Sequence, residues 1–382
     1  MKVLVLNNVP APYFLPIFEK LGTVPDWQLI VCYSAGWNSS VGWQDDVTKI
    51  KASYRVIILD QVKVRWKKYI GSSLSAAIAL LGVMHKEKPD YLICYGYTLM
   101  PQVLLLCWAI LTGTSFALIG DANYFFDQPN GLRRLVKSFW LRFVTKKASA
   151  LIEIGTASRH FWEKYGALPS QLFRSKLVVD NKRFFDASIA KSAQAKQLRE
   201  SFGFGDRVIF LFVGRLIKRK NVDLIIQATC QLNSDKFGLV IAGDGEELRN
   251  LKRLAGNQQN IVFVGNVSQE ELPAFYKMAD VLVLPADKEP WGLVINEAMA
   301  CGLAVIAFQH CGAAVDLVEE GTGIKLLEFS VAEVAKAMEL LINDPLLLKA
   351  MQVNSRAKIQ AWSIENAAEG IVRAVTYTWK RK

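Results

Sequence analysis

The sequence predicts an α/β protein made of two doubly wound parallel-sheet domains. Three observations carry that expectation. At 382 residues the chain is too long for one ordinary domain and suits two. Short apolar runs of strand length alternate along it with helix-like stretches, the order that parallel sheets wound by helices require. Hydrophobic residues make up 52% of the chain, enough to bury two sheets on both faces.

In the first half, "KVLVLNNV", "WQLIVCYS", "YRVIILD", "YLICYG", "SFALIG" and "ALIEIG" read as strands. "YFLPIFEKLG" and "SSLSAAIALLGVMHKEK" read as helices between them. Tyr91 to Gly120 carries no charge, a length that would also suit a membrane span. Gly96, Pro101 and Gly113 divide it into strand, helix and strand, so a buried βαβ unit is expected instead. In the second half the strands are "RVIFLFVG", "GLVIAGDG", "IVFVGNV", "VLVLP", "LAVIAF" and "GIKLL". Two intervening helices open with capping-box pairs, Ser268 with Glu271 and Ser330 with Glu333. The domains are expected at residues 1–182 and 183–360, joined near "VVDNKRFF". A closing segment over 361–382, with the helix-like "ENAAEGIVRAVTYTWKRK" in it, is free to return to the first domain.

Charge separates the halves. Residues 1–182 hold 22 Lys and Arg against 12 Asp and Glu, a net of +10, whereas residues 183–382 hold 24 against 23, a net of +1. A basic half points to an anionic partner such as a membrane, a nucleic acid or a phosphorylated substrate. The six cysteines form no C-x-x-C pair and read as reduced thiols of a cytoplasmic protein. With three histidines and no ligand spacing, no metal site is expected. The start "MKVLVLNNVPAPYF" does not read as a signal peptide.

Open parallel sheets bind ligands just beyond the carboxyl ends of their strands. Four such places stand out. In "FVGRLIKRKN", Arg215 and Lys220 follow Gly214, offering a planar fork and a point charge to phosphate oxygens, and Lys218 and Arg219 add to the field. The blander reading is a solvated basic turn. In "IAGDGEEL", Gly243 and Gly245 would let backbone approach a ligand, although most G-x-G turns are only turns. Leu248 occupies the third glycine's place of the dinucleotide fingerprint, which argues against a nicotinamide or flavin enzyme. In "FVGNVSQEEL", around Val264, a planar base could lie against the backbone.

The fourth place is "ADKEPWGLVINEAMACG". Glu289 sits in a loop, Pro290 fixes the chain direction, and Gly292 and Leu293 open a helix whose free N–H groups favour an anion. Glu297 follows on that helix. Each carboxylate could accept hydroxyls of a vicinal diol, one a ribose and the other a hexose. A diphosphate would lie between them on the helix N-terminus, Arg215 and Lys220. Otherwise Glu289 is a loop charge and Glu297 an exposed helix residue.

Taken together, "VGRLIKRKN", "AGDGEELRNL" and the run from "VFVGNVSQEEL" to "LAVIAF" resemble the retaining glycosyltransferases of family 4, which have the two-domain GT-B fold. "NNVPAPYFLPIFEKL" and "VVDNKRFF" more loosely resemble members that build bacterial surface polysaccharides. The resemblance implies that Arg215 and Lys220 bind a donor diphosphate, Glu297 its ribose and Glu289 the transferred sugar, with Gly292 and Leu293 offering N–H groups to phosphate. It implies transfer of a hexose from a UDP- or GDP-linked donor to a glycan or lipid-linked acceptor. No cofactor and no metal are implied, and the chain contains no D-x-D motif.

The chain departs from that pattern. "NNVPAP" stands where a glycine pair is common, Cys311-Gly312 where Gly-Gly is common, Asp316 where Glu is common, and Trp291 where Phe is usual. A histidine often follows a late strand of the first domain; "ALIGDANYFFD" offers Asp121 instead, the candidate nearest the acceptor, although strand-end Asp residues often serve as turn caps. A non-catalytic partner on the same fold, or a nucleotide-sugar epimerase, is the alternative. A nucleic-acid binder is disfavoured by the near-neutral second half and the lack of a recognition motif. "GLRRLVKSFWLRFVTKK", six basic residues without an acidic one, and the basic cluster "KVRWKKYIG" suggest attachment to the anionic inner face of the cell membrane. The blander view packs the apolar stripe of the first segment on its own sheet.

Overall fold

The computed structural model describes residues 1–35, 53–61, 72–127, 130–232 and 234–380. The cluster "KVRWKKYIG" lies outside them. The chain divides into two compact units, one formed by Met1–Leu177 with Ile364–Lys382 and the other by Val178–Ser363. The division thus falls ahead of the expected Lys182, and the last helix belongs to the first unit.

The first unit is built on a sheet of parallel strands: β1 (Lys2–Asn7), β2 (Gln28–Tyr33), β3 (Arg55–Ile58), β4 (Tyr91–Tyr95), β5 (Ser115–Gly120), β6 (Ala150–Glu153) and β7 (Leu172–Arg174). Their spatial order is β3-β2-β1-β4-β5-β6-β7, so the winding reverses between β1 and β4, where Val3 pairs with Tyr91 and Leu6 with Cys94. β4 and β5 are buried throughout, as apolar runs covered on both faces must be. The uncharged stretch is β4, the helix Met100–Thr112 and β5. No helix among the described residues is long and apolar enough to cross a membrane. β7, only "LFR" and half-buried, has no apolar run to announce it.

The helix Gly131–Lys147 does not pack its larger apolar row on its own sheet. Its buried side chains are Leu141, Val144 and Thr145. The apolar row at helical spacing points outward instead, with Leu132 75%, Leu135 67%, Val136 62% and Phe139 76% exposed. The helix is pinned through Lys137, which pairs with the buried Asp127; that carboxylate also accepts from Lys164 Nζ at 2.8 Å and Tyr165 OH at 2.6 Å.

The second unit carries β8 (Val208–Val213), β9 (Phe237–Ala242), β10 (Ile261–Gly265), β11 (Val281–Leu284), β12 (Ala304–Phe308) and β13 (Gly323–Leu326), parallel in the order β10-β9-β8-β11-β12-β13. Here the reversal lies between β8 and β11. Both capping serines accept the expected backbone N–H, Ser268 from Glu271 at 3.2 Å and Ser330 from Glu333 at 3.1 Å. The Glu333 carboxylate does not complete its box; it turns to the N–H groups of Leu327 and Glu328, ordering the approach from β13.

The last helix, Ile364–Trp379, is seated in the first unit by close backbone contact. Ser175 Oγ donates to the Ala367 carbonyl at 2.8 Å, and Tyr91 OH meets Thr378 Oγ1 at 2.8 Å. A Cβ on Gly370 would lie 2.0 Å from the Arg174 carbonyl oxygen, so the helix cannot approach β7 this closely with any other residue. Gly370→Ala is therefore expected to destabilise the first unit by about 1–3 kcal/mol, the usual cost of overpacking. Denaturant unfolding of the full chain measures this, and an unchanged midpoint would show that the helix is not seated as described.

Candidate functional site

In the second unit the loops that follow β8, β9 and β10 are tied together by main-chain hydrogen bonds. Gly214 N donates to the Ala242 carbonyl at 3.0 Å, Leu216 N to Asp244 at 2.8 Å, Glu247 N to Leu216 at 2.9 Å and Gly243 N to Gly265 at 2.7 Å. This zipper explains the glycines. Gly243 and Gly245 have φ of +148° and +158°, and a Cβ on them would lie 1.9 Å from the Gly214 oxygen and 2.4 Å from the Leu216 oxygen. The backbone they approach here is the chain's own loop. Val264, half-buried at the end of β10, stands next to Gly265 on the same platform.

The β8 loop turns through Lys218–Lys220 and reaches Asn221, whose φ of +50° is tolerated by its short polar side chain. Asn221 Nδ2 donates to the Pro285 carbonyl at 2.9 Å, and Asp287 N to the Arg219 carbonyl at 2.7 Å, so this loop is fastened to the end of β11. The fastening brings cations and carboxylate together. Lys220 Nζ lies 2.5 Å from Glu289 Oε2, and Arg219 Nη1 lies 3.2 Å from the same oxygen. Lys220 is 9% exposed, so this pair is largely out of water. Arg219, which the sequence offered only as background field, is a direct partner of Glu289. The exposed Arg215 side chain makes no ion pair among the described residues.

Glu289 precedes a tight entry into the helix Leu293–Ala300. Gly292, at φ +96°, leaves room where a Cβ would meet Cys311 Sγ at 3.0 Å and Glu289 Cγ at 3.3 Å. The Cys311-Gly312 segment closes on it: Gly312 N donates to the Glu289 carbonyl at 3.2 Å, and Cys311 Sγ to the Trp291 carbonyl at 2.9 Å. Trp291 is buried, with Nε1 donating to Asn296 Oδ1 at 2.9 Å. That bond ties the turn to the helix that follows it. The helix presents its first-turn N–H groups beside Glu289, as an anion site requires.

Glu297 sits one helical face away and is not an exposed helix residue. It is 9% exposed, and Tyr276 OH donates to its Oε2 at 2.6 Å. Burial pushes its carboxyl up from 4.5 to about 7, against the lowering effects of the Tyr276 hydrogen bond and the Arg183 charge. Tyr276 lies 21 residues away in sequence on the helix Leu272–Met278, a pairing that only tertiary packing discloses. Asp121 belongs to the first unit, exposed just beyond β5.

Residues 194–358, most of this unit, match the family model described as glycosyl transferases group 1. Over those residues the chain is similar to that family. Among its relatives, the alpha-D-kanosaminyltransferase of Streptomyces kanamyceticus is 31% identical over 220 residues, covering 56% of each chain. The GDP-mannose-dependent alpha-(1-6)-phosphatidylinositol monomannoside mannosyltransferase of Mycolicibacterium smegmatis is 33% identical over 200 residues, covering 49% of this chain and 50% of that one. The chain thus spans about half the length of the curated relatives it matches. Anabaena HepE, solved with UDP and glucose, shares the fold over 98% of this chain and 99% of its own, with a TM-score of 0.73 at 17% identity. The architecture is therefore the α/β GT-B class that the sequence resemblance implied.

The raised pKa of Glu297 has a consequence for stability. Its folded value lies above the ordinary one, so the contribution is fully present below about pH 4.5 and is lost as pH rises through about 7. At about 1.4 kcal/mol per unit, the loss is on the order of 3 kcal/mol at most. Unfolding free energies at pH 5 and pH 8 should converge when Glu297 is replaced by Gln; equal pH dependence in both proteins would contradict a buried, proton-holding Glu297.

Proposed function

We propose that the protein is a retaining glycosyltransferase. It would move a hexose from a UDP- or GDP-linked donor to a hydroxyl of a glycan or lipid-linked acceptor in surface-polysaccharide synthesis. The observation that carries this reading is the meeting of Glu289, Lys220 and Arg219 at the N-terminus of the Leu293–Ala300 helix, with the buried Glu297 on the same helix. Glu297 accepts the ribose hydroxyls, and Glu289 those of the hexose. The diphosphate lies against Arg215, Lys220 and the N–H groups of Leu293 and its neighbours. Gly243, Gly245 and Val264 form the backbone shelf for the base. The names of the relatives support such a donor: one uses GDP-mannose, and HepE was captured with UDP and glucose.

In the reaction the bond from the sugar C1 to the phosphate oxygen breaks and the bond from C1 to the acceptor oxygen forms on the same face. The acceptor proton passes to the departing phosphate oxygen. No protein nucleophile is needed. The developing negative charge is stabilised by Arg215, Lys220 and the helix N-terminus, without a metal. Lys220 is engaged by Glu289 before any donor arrives, so a diphosphate must draw the ammonium toward itself. Lys220→Ala and Arg215→Ala should each weaken nucleoside diphosphate binding about tenfold to a hundredfold, the loss of a charge-assisted hydrogen bond. Glu289→Gln releases Lys220 and should leave free-nucleotide affinity equal or higher while sugar transfer falls. Titration calorimetry with UDP and GDP reads the first effects; undiminished affinity in both cation variants would sink the site.

The proposal includes attachment to an anionic membrane face through the helix Gly131–Lys147. Its exposed row of Leu132, Leu135, Val136 and Phe139 is flanked by exposed Arg133, Arg134, Arg142, Lys146 and Lys147. Apolar side chains entering the headgroup boundary and cations held at it fit this pattern. Lys137 is unsuitable for a test, because it holds Asp127. Co-sedimentation with anionic liposomes should fall with salt and drop when Arg133 and Arg134 become Ser, or Leu135 and Phe139 become Ser. Equal binding to neutral vesicles would refute the electrostatic part.

A further inference from the structure

Three helices of the second unit enclose Glu297, and they hold one of its two oxygens. Tyr276 comes from the helix Leu272–Met278 and Phe184 from the helix Asn181–Ala190, while Cys301 follows Glu297 by a turn at the end of its own helix. The Tyr276 side chain is wholly buried. Its ring meets Phe184 edge-on, with centroids 6.2 Å apart, and Cys301 Sγ donates to the Phe184 carbonyl at 3.6 Å. The phenol is thus fixed by packing from behind. Its hydroxyl donates to Glu297 Oε2 at 2.6 Å, the short length of a bond made to a charged acceptor. Burial and the Glu297 charge push the phenol well above its ordinary value, so it stays a donor. Oε1 has no hydrogen-bond partner among the described residues, and Glu297 keeps 9% of its surface open. One oxygen is held, and the other is left for a ligand.

On the glycosyltransferase reading, that ligand is the ribose of the donor. A vicinal diol must have both hydroxyls met at once, at positions set by the ring. A glutamate that turns about its side-chain torsions meets them only by giving up that freedom on binding, which costs affinity. The tyrosine bond removes the motion beforehand. It takes one of the roughly four lone-pair sites of the carboxylate and leaves the rest as acceptors. A purely structural tyrosine would need Glu297 only as a partner for its buried hydroxyl, and would then affect every nucleotide alike.

We propose that Tyr276 is a positioning residue for nucleotide recognition: its hydroxyl fixes Glu297 so that the site distinguishes ribonucleotides from deoxyribonucleotides. This rests on the reading of Glu297 as the ribose-binding residue and adds the group that makes the selection sharp. Tyr276 acts through Glu297 and does not touch the nucleotide.

The test is titration calorimetry on the full chain at pH 8, above the value of about 7 for the Glu297 carboxyl. UDP is compared with 2′-deoxy-UDP, and GDP with 2′-deoxy-GDP. The unaltered protein should prefer the ribonucleotide of one pair on the order of tenfold or more, the value of a hydrogen bond to a charged group. Tyr276→Phe keeps the ring against Phe184 and removes only the hydroxyl. It should reduce the preference to about threefold, with most of the loss on the ribonucleotide side. Retained affinity for the deoxynucleotide shows that the variant is folded. Glu297→Gln should also flatten the preference, and adding Tyr276→Phe to it should change the preference no further. That double variant buries no unpaired carboxylate, so it reports even if Tyr276→Phe alone folds poorly. A preference that Tyr276→Phe leaves intact overturns the proposal and spares the ribose role of Glu297. So does an equal fall in affinity for both members of a pair, or an undiminished effect of Tyr276→Phe in the Glu297→Gln background. Equal binding of ribo- and deoxynucleotide by the unaltered protein removes the ribose role and the proposal together. Failure of all four nucleotides to bind removes the donor reading as a whole.

Discussion

The winding of a parallel sheet must reverse somewhere, and at that point neighbouring strands send their loops to opposite faces and leave a crevice between them. The rest of this molecule depends on that constraint, applied twice. Between β8 and β11 it opens the space into which Lys220 and Glu289 project from loops about seventy residues apart. Between β1 and β4 it opens the space that Asn7, Asn8 and Tyr95 line. Neither group of residues is contiguous in sequence. Each is assembled because a fixed strand order brings the same two carboxyl ends side by side.

The electrostatics of the second unit follow from how deeply each carboxylate is set. Glu289 is partly buried but faces two cations, so its charge is compensated locally. Glu297 lies deeper, with a phenol as its hydrogen-bond partner, and holds its proton to near neutrality. Two glutamates eight positions apart thus differ in readiness to accept a hydroxyl. The one nearer the cations is set for charge, and the other gains most from a polar ligand that replaces lost hydration.

Much of this was legible in the sequence for a stated reason. Strands β8 to β12 of the second sheet carry continuous apolar runs, and β8, β9, β11 and β12 are the strands most covered. The ends of those runs located Gly214, Gly243, Val264 and Glu289 without further information. β7 was missed because its three residues have no periodicity to read. The pairing of Tyr276 with Glu297, on two helices, and of Arg219 with Glu289, on two loops, leaves no local trace, because packing brings such partners together from distant segments. The glycines of "AGDG" were read as making room for a ligand, whereas the nearest claim on that room is a neighbouring loop. For the Gly131–Lys147 helix, a helical wheel gives the stripe but not its direction. The larger apolar row faces away from the sheet, a choice made by packing.

The loops after β8, β9 and β10 are held to one another almost wholly by main-chain groups. Such bonds are indifferent to which side chain each residue bears, so long as Gly214, Gly243 and Gly245 keep their backbone freedom. The side chains of Arg215 and Val264, beside these loops, can therefore be exchanged during descent without loosening the shelf on which they stand. A platform of this kind lets one scaffold vary the side chains it displays by small steps, each tolerated by the fold before it is useful to the cell.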